Sequence, residues 1–199
     1  METSRSWEHL YPTMQPPARP DTLTARETRM LGLLLMGCTN GIDTATAGEP
    51  AWVQLLDASA WVEADAEQDP FDDRPADVEC STLGWGVEGT YFEVQTDDCE
   101  YGTFYQPLTV DVPAGTELEM VYWHLDLWAS EDAQGHIGLR TEETLIHEAY
   151  IEIPNGAEVY AVSLVAAADL SAGEPIYFHV HNHGYNSWSL GGLEALLAP

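Results

Sequence analysis

From Ala51 onward, apolar residues recur at alternate positions in short runs cut by turn formers, and no stretch sustains a helical period over three turns. A period of two sends successive side chains to opposite faces of an extended strand, so the pattern restricts this region to β-structure. It predicts strands over residues 52–56, 60–64, 89–95, 102–105, 108–112, 117–127, 136–140, 144–153, 158–165, 175–182 and 188–195. Pro113-Ala114-Gly115, Pro154-Asn155-Gly156 and Ser171-Ala172-Gly173 supply the fixed or positive φ needed where the chain reverses. Short strands at this spacing build two packed antiparallel sheets. The expected class is all-β, an antiparallel β-sandwich with a jelly-roll wrap over residues 51–199.

Strand phase sorts the side chains by face. In residues 176–180, Ile176, Phe178 and Val180 point one way, expected to be the core, and Tyr177, His179, His181 and His183 the other. The same rule applied to residues 121–128 sends Val121, Trp123, Leu125 and Leu127 inward. Tyr122, His124, Asp126 and Trp128 then share the opposite face.

Ahead of the sandwich stands Leu31-Gly32-Leu33-Leu34-Leu35-Met36-Gly37-Cys38, an apolar run too short to cross a bilayer as a helix. It resembles the lipobox of bacterial lipoproteins. That resemblance implies cleavage before Cys38 and a lipid on its sulfur, with residues 1–37 a signal segment. If Met14 is the true start, Arg26 and Arg29 form the basic n-region. A buried apolar segment is the alternative reading. Residues 38–50 are small and polar, the composition of a flexible tether. The resemblance further implies export and anchoring at the outer membrane, compatible with Thr39 after the cysteine, and membrane contact through the lipid alone.

Export would let Cys80 and Cys99 oxidise to a disulfide, two independent thiols being the alternative. Charge limits partners more sharply. The chain carries 34 acidic and 6 basic residues with a net charge of −28, no lysine, and only Arg74 and Arg140 after Cys38. Such a balance excludes nucleic acid as an expected partner, since phosphates demand cations. Asp72-Asp73 and Asp97-Asp98 could contribute to a calcium site, but the EF-hand loop pattern is absent, and a solvated acidic surface is the simpler reading.

His179-Val180-His181-Asn182-His183 is the sharpest local anomaly, three imidazoles at alternate positions. Neighbouring members stand about 7 Å apart along a strand and can reach one ion together, whereas the outer two cannot. A zinc or copper site would need His179 with His181, or His181 with His183, plus His124 or Asp126. The pair resembles the His-x-His element of the cupins, although their following glutamate and second motif have no counterpart here. The alternative is a polar sheet face whose imidazoles are hydrogen-bonded.

Tyr122, Trp128, Tyr177 and Trp188 with interspersed polar groups would offer flat rings beside hydrogen-bonding atoms, which a sugar's mixed surface requires. Residues 173–190 lead from an apolar strand through an Asn/Gly loop to an aromatic and a last strand. They resemble the final hairpin of carbohydrate-binding and galactose-binding-like domains, a likeness extending over residues 102–197. It implies a non-catalytic surface module with a glycan as ligand and no required cofactor.

Enzyme signals are weak. Gly84-Trp85-Gly86-Val87-Glu88-Gly89 fits a dinucleotide fingerprint, but a strand rather than a helix follows it. His147-Glu148 lacks the second zincin histidine, Ile151 standing in its place. A carboxylate pair for glycoside hydrolysis stays an alternative that spacing along the chain cannot test.

Overall fold

The computed structural model describes residues 48–199, and these form an all-β unit of eleven strands. In chain order they are β1 (Ala51–Gln54), β2 (Val62–Glu63), β3 (Trp85–Glu88), β4 (Tyr91–Gln95), β5 (Tyr101–Pro107), β6 (Glu117–His124), β7 (Ala133–Thr141), β8 (Leu145–Ile153), β9 (Glu158–Val165), β10 (Pro175–His181) and β11 (Ser187–Leu197). The signal segment, Cys38 and most of the tether lie outside the described residues.

All pairings are antiparallel. One sheet runs β3-β4-β11-β6-β9 with β1 on the far part of β11, and the other runs β2-β5-β10-β7-β8. From β4 to β7 and again from β8 to β11, each strand crosses to the opposite sheet, which wraps the chain as a jelly roll. Apolar rows from both sheets meet between them: Phe92, Val94, Met120, Trp188 and Leu190 against Phe104, Ile137, Leu139, Phe178 and Val180. The Phe92 ring stands edge-on to Phe104 at 5.0 Å across this interior.

The alternation assigned β10 correctly, with Ile176, Phe178 and Val180 in the core. It reversed β6. Leu118, Met120, Tyr122 and His124 are buried, while Val121 is exposed and Trp123 half-buried on the outer surface. Both faces of residues 121–124 carry large side chains, so alternation alone cannot say which faces the core. Glu117 and Glu119 settle it, because they share the phase of Val121 and Trp123 and cannot be buried unpaired. Residues 108–112 form no strand, only a single bridge from Val112 to Leu170. The glycine-rich 84–89 run contains β3, a strand paired with β4 in a hairpin that turns through Gly89 at φ 65°.

Cys80 and Cys99 are disulfide-bonded, 19 residues apart. Closing a loop of that size contributes about 3 kcal/mol in the chain-entropy account.

Central strand β10 is covered on both faces. Its outer face is roofed by the segment before β3: Phe71 lies over Gly138, where any Cβ would collide with the ring, and Arg140 donates to the Pro70 carbonyl at 2.9 Å. Asp69 fastens the same segment. Its side chain, 1% exposed, takes hydrogen bonds from Arg74 at 2.8 Å and the Tyr101 hydroxyl at 2.7 Å.

Candidate functional site

Two arrangements of side chains stand out, one under the roof of the five-stranded sheet and one at the loops ending the sandwich. The first grows from strand register. His181 pairs with His136 on β7 and with Tyr101 on β5, and His179 pairs with Gly138 and Thr103. Cross-strand neighbours on one face lie about 5 Å apart, so register alone gathers His136, His179 and His181. Glycine at 138 leaves room for the roof, which delivers Asp73 to the three rings.

Asp73 Oδ2 accepts from His136 Nδ1 and from His181 Nδ1, each at 2.9 Å, and Oδ1 stands 3.5 Å from His179 Nε2. The far side of each ring is also held. His136 Nε2 is 3.1 Å from Glu148 Oε1, and Tyr150 stacks on the imidazole at 4.3 Å and 9°. His179 Nδ1 is 2.9 Å from Thr103 Oγ1, which donates to Asp69 Oδ1 at 3.0 Å.

Burial raises the Asp73 carboxyl, but the imidazoles of His179, His136 and His181 around it outweigh burial and hold the group far below the usual carboxylate range. Burial pushes the His179 imidazole down, against the opposing pull of Asp73. Tyr101 is pushed well up by burial and by its hydrogen bond to Asp69. The cluster therefore holds an anionic oxygen beside a deeply buried ring whose charged form burial disfavours.

The structure brings together His179 and His181 but not the partners expected for them. His124 lies in the other sheet, fully buried against Trp188 at 5.0 Å, with its Nδ1 on the Leu125 carbonyl. Asp126 accepts from the Ala157 amide at 2.8 Å. His183 is exposed, with its ring 5.0 Å from that of His181 and its Nδ1 3.7 Å from Glu100. Asp73 and His136 take the places expected of Asp126 and His124, since strand pairing and a long excursion, not sequence spacing, create those contacts. Asp97 and Asp98 sit exposed in the turn after β4, remote in sequence from Asp73.

The four aromatics expected on one face are likewise dispersed. Tyr122 and Trp188 are core residues, 1% and 0% exposed, and Tyr177 is buried beside Tyr105. Only Trp128 is open to solvent. It is 55% exposed and lies near-parallel to Tyr185, itself 70% exposed, with ring centroids 6.1 Å apart and planes at 26°.

This second arrangement is held from beneath. Asn186 Oδ1 accepts from the Trp128 amide at 2.6 Å, and Thr96 Oγ1 donates to the Gly184 carbonyl at 2.7 Å while accepting from Asn182 Nδ2 at 3.0 Å. Gly184, at φ 130°, passes so close to the Trp128 carbonyl that no side chain fits. Two adjacent loops are thus clamped and hold two large apolar rings out into water. Tyr185 went unnoticed in the sequence because a single tyrosine in a polar loop has no period to expose it.

A further pair, Tyr91 and Trp123, meets edge-on at 4.7 Å on the outer surface of the six-stranded sheet, beside an open groove of about 560 Å³ lined partly by Asp57, Ser59, Thr90 and Gly191. The Glu93 carboxyl near it is raised chiefly by burial.

No family model matches the sequence, and no curated protein matches it. Solved structures do. The C-terminal CBM6 of LamC, a marine laminarinase from Zobellia galactanivorans, is 13% identical over 74% of this chain and all of its own, at a TM-score of 0.38. A family 29 carbohydrate-binding module complexed with mannohexaose is 11% identical over 74% of this chain and 92% of its own, at 0.41. The K3 cleaved adhesin domain of Lys-gingipain from Porphyromonas gingivalis is 11% identical over 73% of this chain and all of its own, at 0.43. With TM-scores below 0.5, the question of a ligand rests on this chain's own residues.

Proposed function

We propose that this protein is an exported, lipid-anchored binding module whose ligand is a glycan, seated between or across Trp128 and Tyr185. The observation that carries the reading is the exposed, near-parallel ring pair on clamped loops. Exposing two large aromatics forfeits roughly 1.5–3 kcal/mol of burial for each, a cost that a ligand-binding role explains. Sugar rings present apolar C–H faces and hydroxyl edges, so flat aromatic surfaces among polar groups suit them. Fastened loops also lower the ordering cost of binding. The apolar run before Cys38 supports a lipid anchor there, and Thr39 after it is compatible with the outer membrane. They belong to the proposal.

The test is a glycan array on the purified full chain, followed by titration of any hit against Trp128→Ala, Tyr185→Ala and Trp123→Ala. Loss of binding in the first two variants, with Trp123→Ala unaffected, supports the reading. Loss only in Trp123→Ala moves the site to the outer surface of the six-stranded sheet and overturns this placement. An array without any hit overturns the glycan reading itself.

A further inference from the structure

The three rings around Asp73 pose a hydrogen-bonding problem that an added cation solves. Asp69 is buried and accepts from Arg74, the Tyr101 hydroxyl and the Phe71 amide, so it acts as an acceptor throughout. The Thr103 hydroxyl donates to it, and its one proton is thereby committed. His179 Nδ1, 2.9 Å from that oxygen, must then be the donor, which places the ring proton on Nδ1. Nε2 of the neutral ring is left with a bare lone pair. It is fully buried, has no hydrogen-bond partner, and points toward Asp73 Oδ1 at 3.5 Å. Two electron-rich atoms confront each other, an unfavourable arrangement where nothing intervenes.

His136 shows the same excess of acceptors. Both its nitrogens face carboxylates, Nδ1 toward Asp73 and Nε2 toward Glu148. A cation bound at Nδ1 takes over that side and leaves Nε2–H donating to Glu148, the carboxylate–imidazole–metal pattern that orients metal-ligating histidines.

We infer that Asp73, His136 and His179 form a binding site for a divalent transition metal of the zinc type. Their ligand atoms all lie within 4.8 Å of one another. Bonds of about 2 Å at tetrahedral angles place zinc ligands about 3.3 Å apart, close to the 3.5 Å between His179 Nε2 and Asp73 Oδ1. Imidazole nitrogens with one carboxylate favour zinc over calcium or magnesium, which take oxygen. The outer shell is already in place: Thr103 and Asp69 behind His179, Glu148 behind His136, and His181 hydrogen-bonded to Asp73. The Asp73 side chain is 35% exposed, leaving an approach from solvent and a coordination position for water. This inference is independent of the glycan reading.

The test uses the chelator-treated full chain, titrated calorimetrically with zinc in a large excess of calcium, so that the acidic surface is saturated. Saturation at one zinc per chain is expected, with a raised melting temperature. Asp73→Asn, which keeps shape but weakens the anionic ligand, should bind at least tenfold more weakly, and His183→Ala, outside the cluster, as the wild type does. Circular dichroism shows that each variant is folded. Histidine ring ¹H–¹⁵N spectra supply a second readout, because zinc should shift His179 Nε2 out of the free-lone-pair region. Absence of saturable binding, equal affinity in folded Asp73→Asn, or an unmoved Nε2 signal would each overturn the inference.

Discussion

The Phe71 ring lies stacked on the His179 imidazole, centroids 4.3 Å apart and planes at 20°. This contact joins the roof to the central strand, and it exists because position 138 beside it has no side chain. Phe71→Ala should cost about 3–4 kcal/mol, since the roof cannot collapse into a gap floored by a flat sheet. Gly138→Val should displace the ring and destabilise comparably, both read from urea unfolding midpoints. A loss below about 1 kcal/mol in both would show that the roof is not anchored there.

Arg74 and Arg140, the arginines of the described residues, both hold the roof: one pairs with Asp69, the other donates to Pro70, Thr141 and Glu142 carbonyls. A chain this acidic would be expected to spread its few cations over the surface. Arg74→Met should cost about 2 kcal/mol, because Asp69 stays buried with its remaining donors. The loss should persist in high salt, which screens exposed pairs far more than buried ones. A midpoint difference that vanishes in salt would contradict this.

His147 reports on pH. Its Nε2 is 3.2 Å from the Tyr122 hydroxyl, and burial lowers its affinity for a proton against a weaker opposing pull from Glu148. The folded-state value therefore lies below the unfolded one, near 6.5. Stability from the neutral ring is complete above about pH 6.5 and is lost as pH falls through the folded value. Between pH 7.5 and pH 5, His147→Gln should lose less stability than the wild type. Parallel curves for the two proteins would refute the assignment.

Trp188 and Trp123 lie in register on adjoining strands, with Trp188 opposite His124 and Trp123 opposite Ser189, yet they face opposite ways. Trp188→Ala should cost about 3–5 kcal/mol as a core truncation, and Trp123→Ala, half-exposed, about 1 kcal/mol. Thermal melts of the two variants separate the phases directly. The reverse ranking would restore the phase that alternation suggested.

Particular residues show what was legible. β10 could be read outright because Ile176, Phe178 and Val180 are aliphatic or aromatic while the alternate positions are imidazoles and a phenol. In β6, alternation misassigns Val121 and Trp123, although Glu117 and Glu119, four and two residues before Val121, share their phase. His179 and His181 announced a polar cluster, and Trp128 an exposed ring. Their partners His136, Asp73 and Tyr185 were hidden, because each reaches the site through strand pairing or a loop with no periodic signature.

By itself, the amino-acid order determined the β class and the sandwich, and offered Cys80 and Cys99 as a pair, because a two-residue period, turn formers and two cysteines within the strand-forming region can be read along the chain. Tertiary structure alone decided which face of β6 is core and which carboxylate meets which imidazole. Those outcomes depend on register between strands and on a roof crossing the sheet, where atoms dozens of residues apart compete for one buried space.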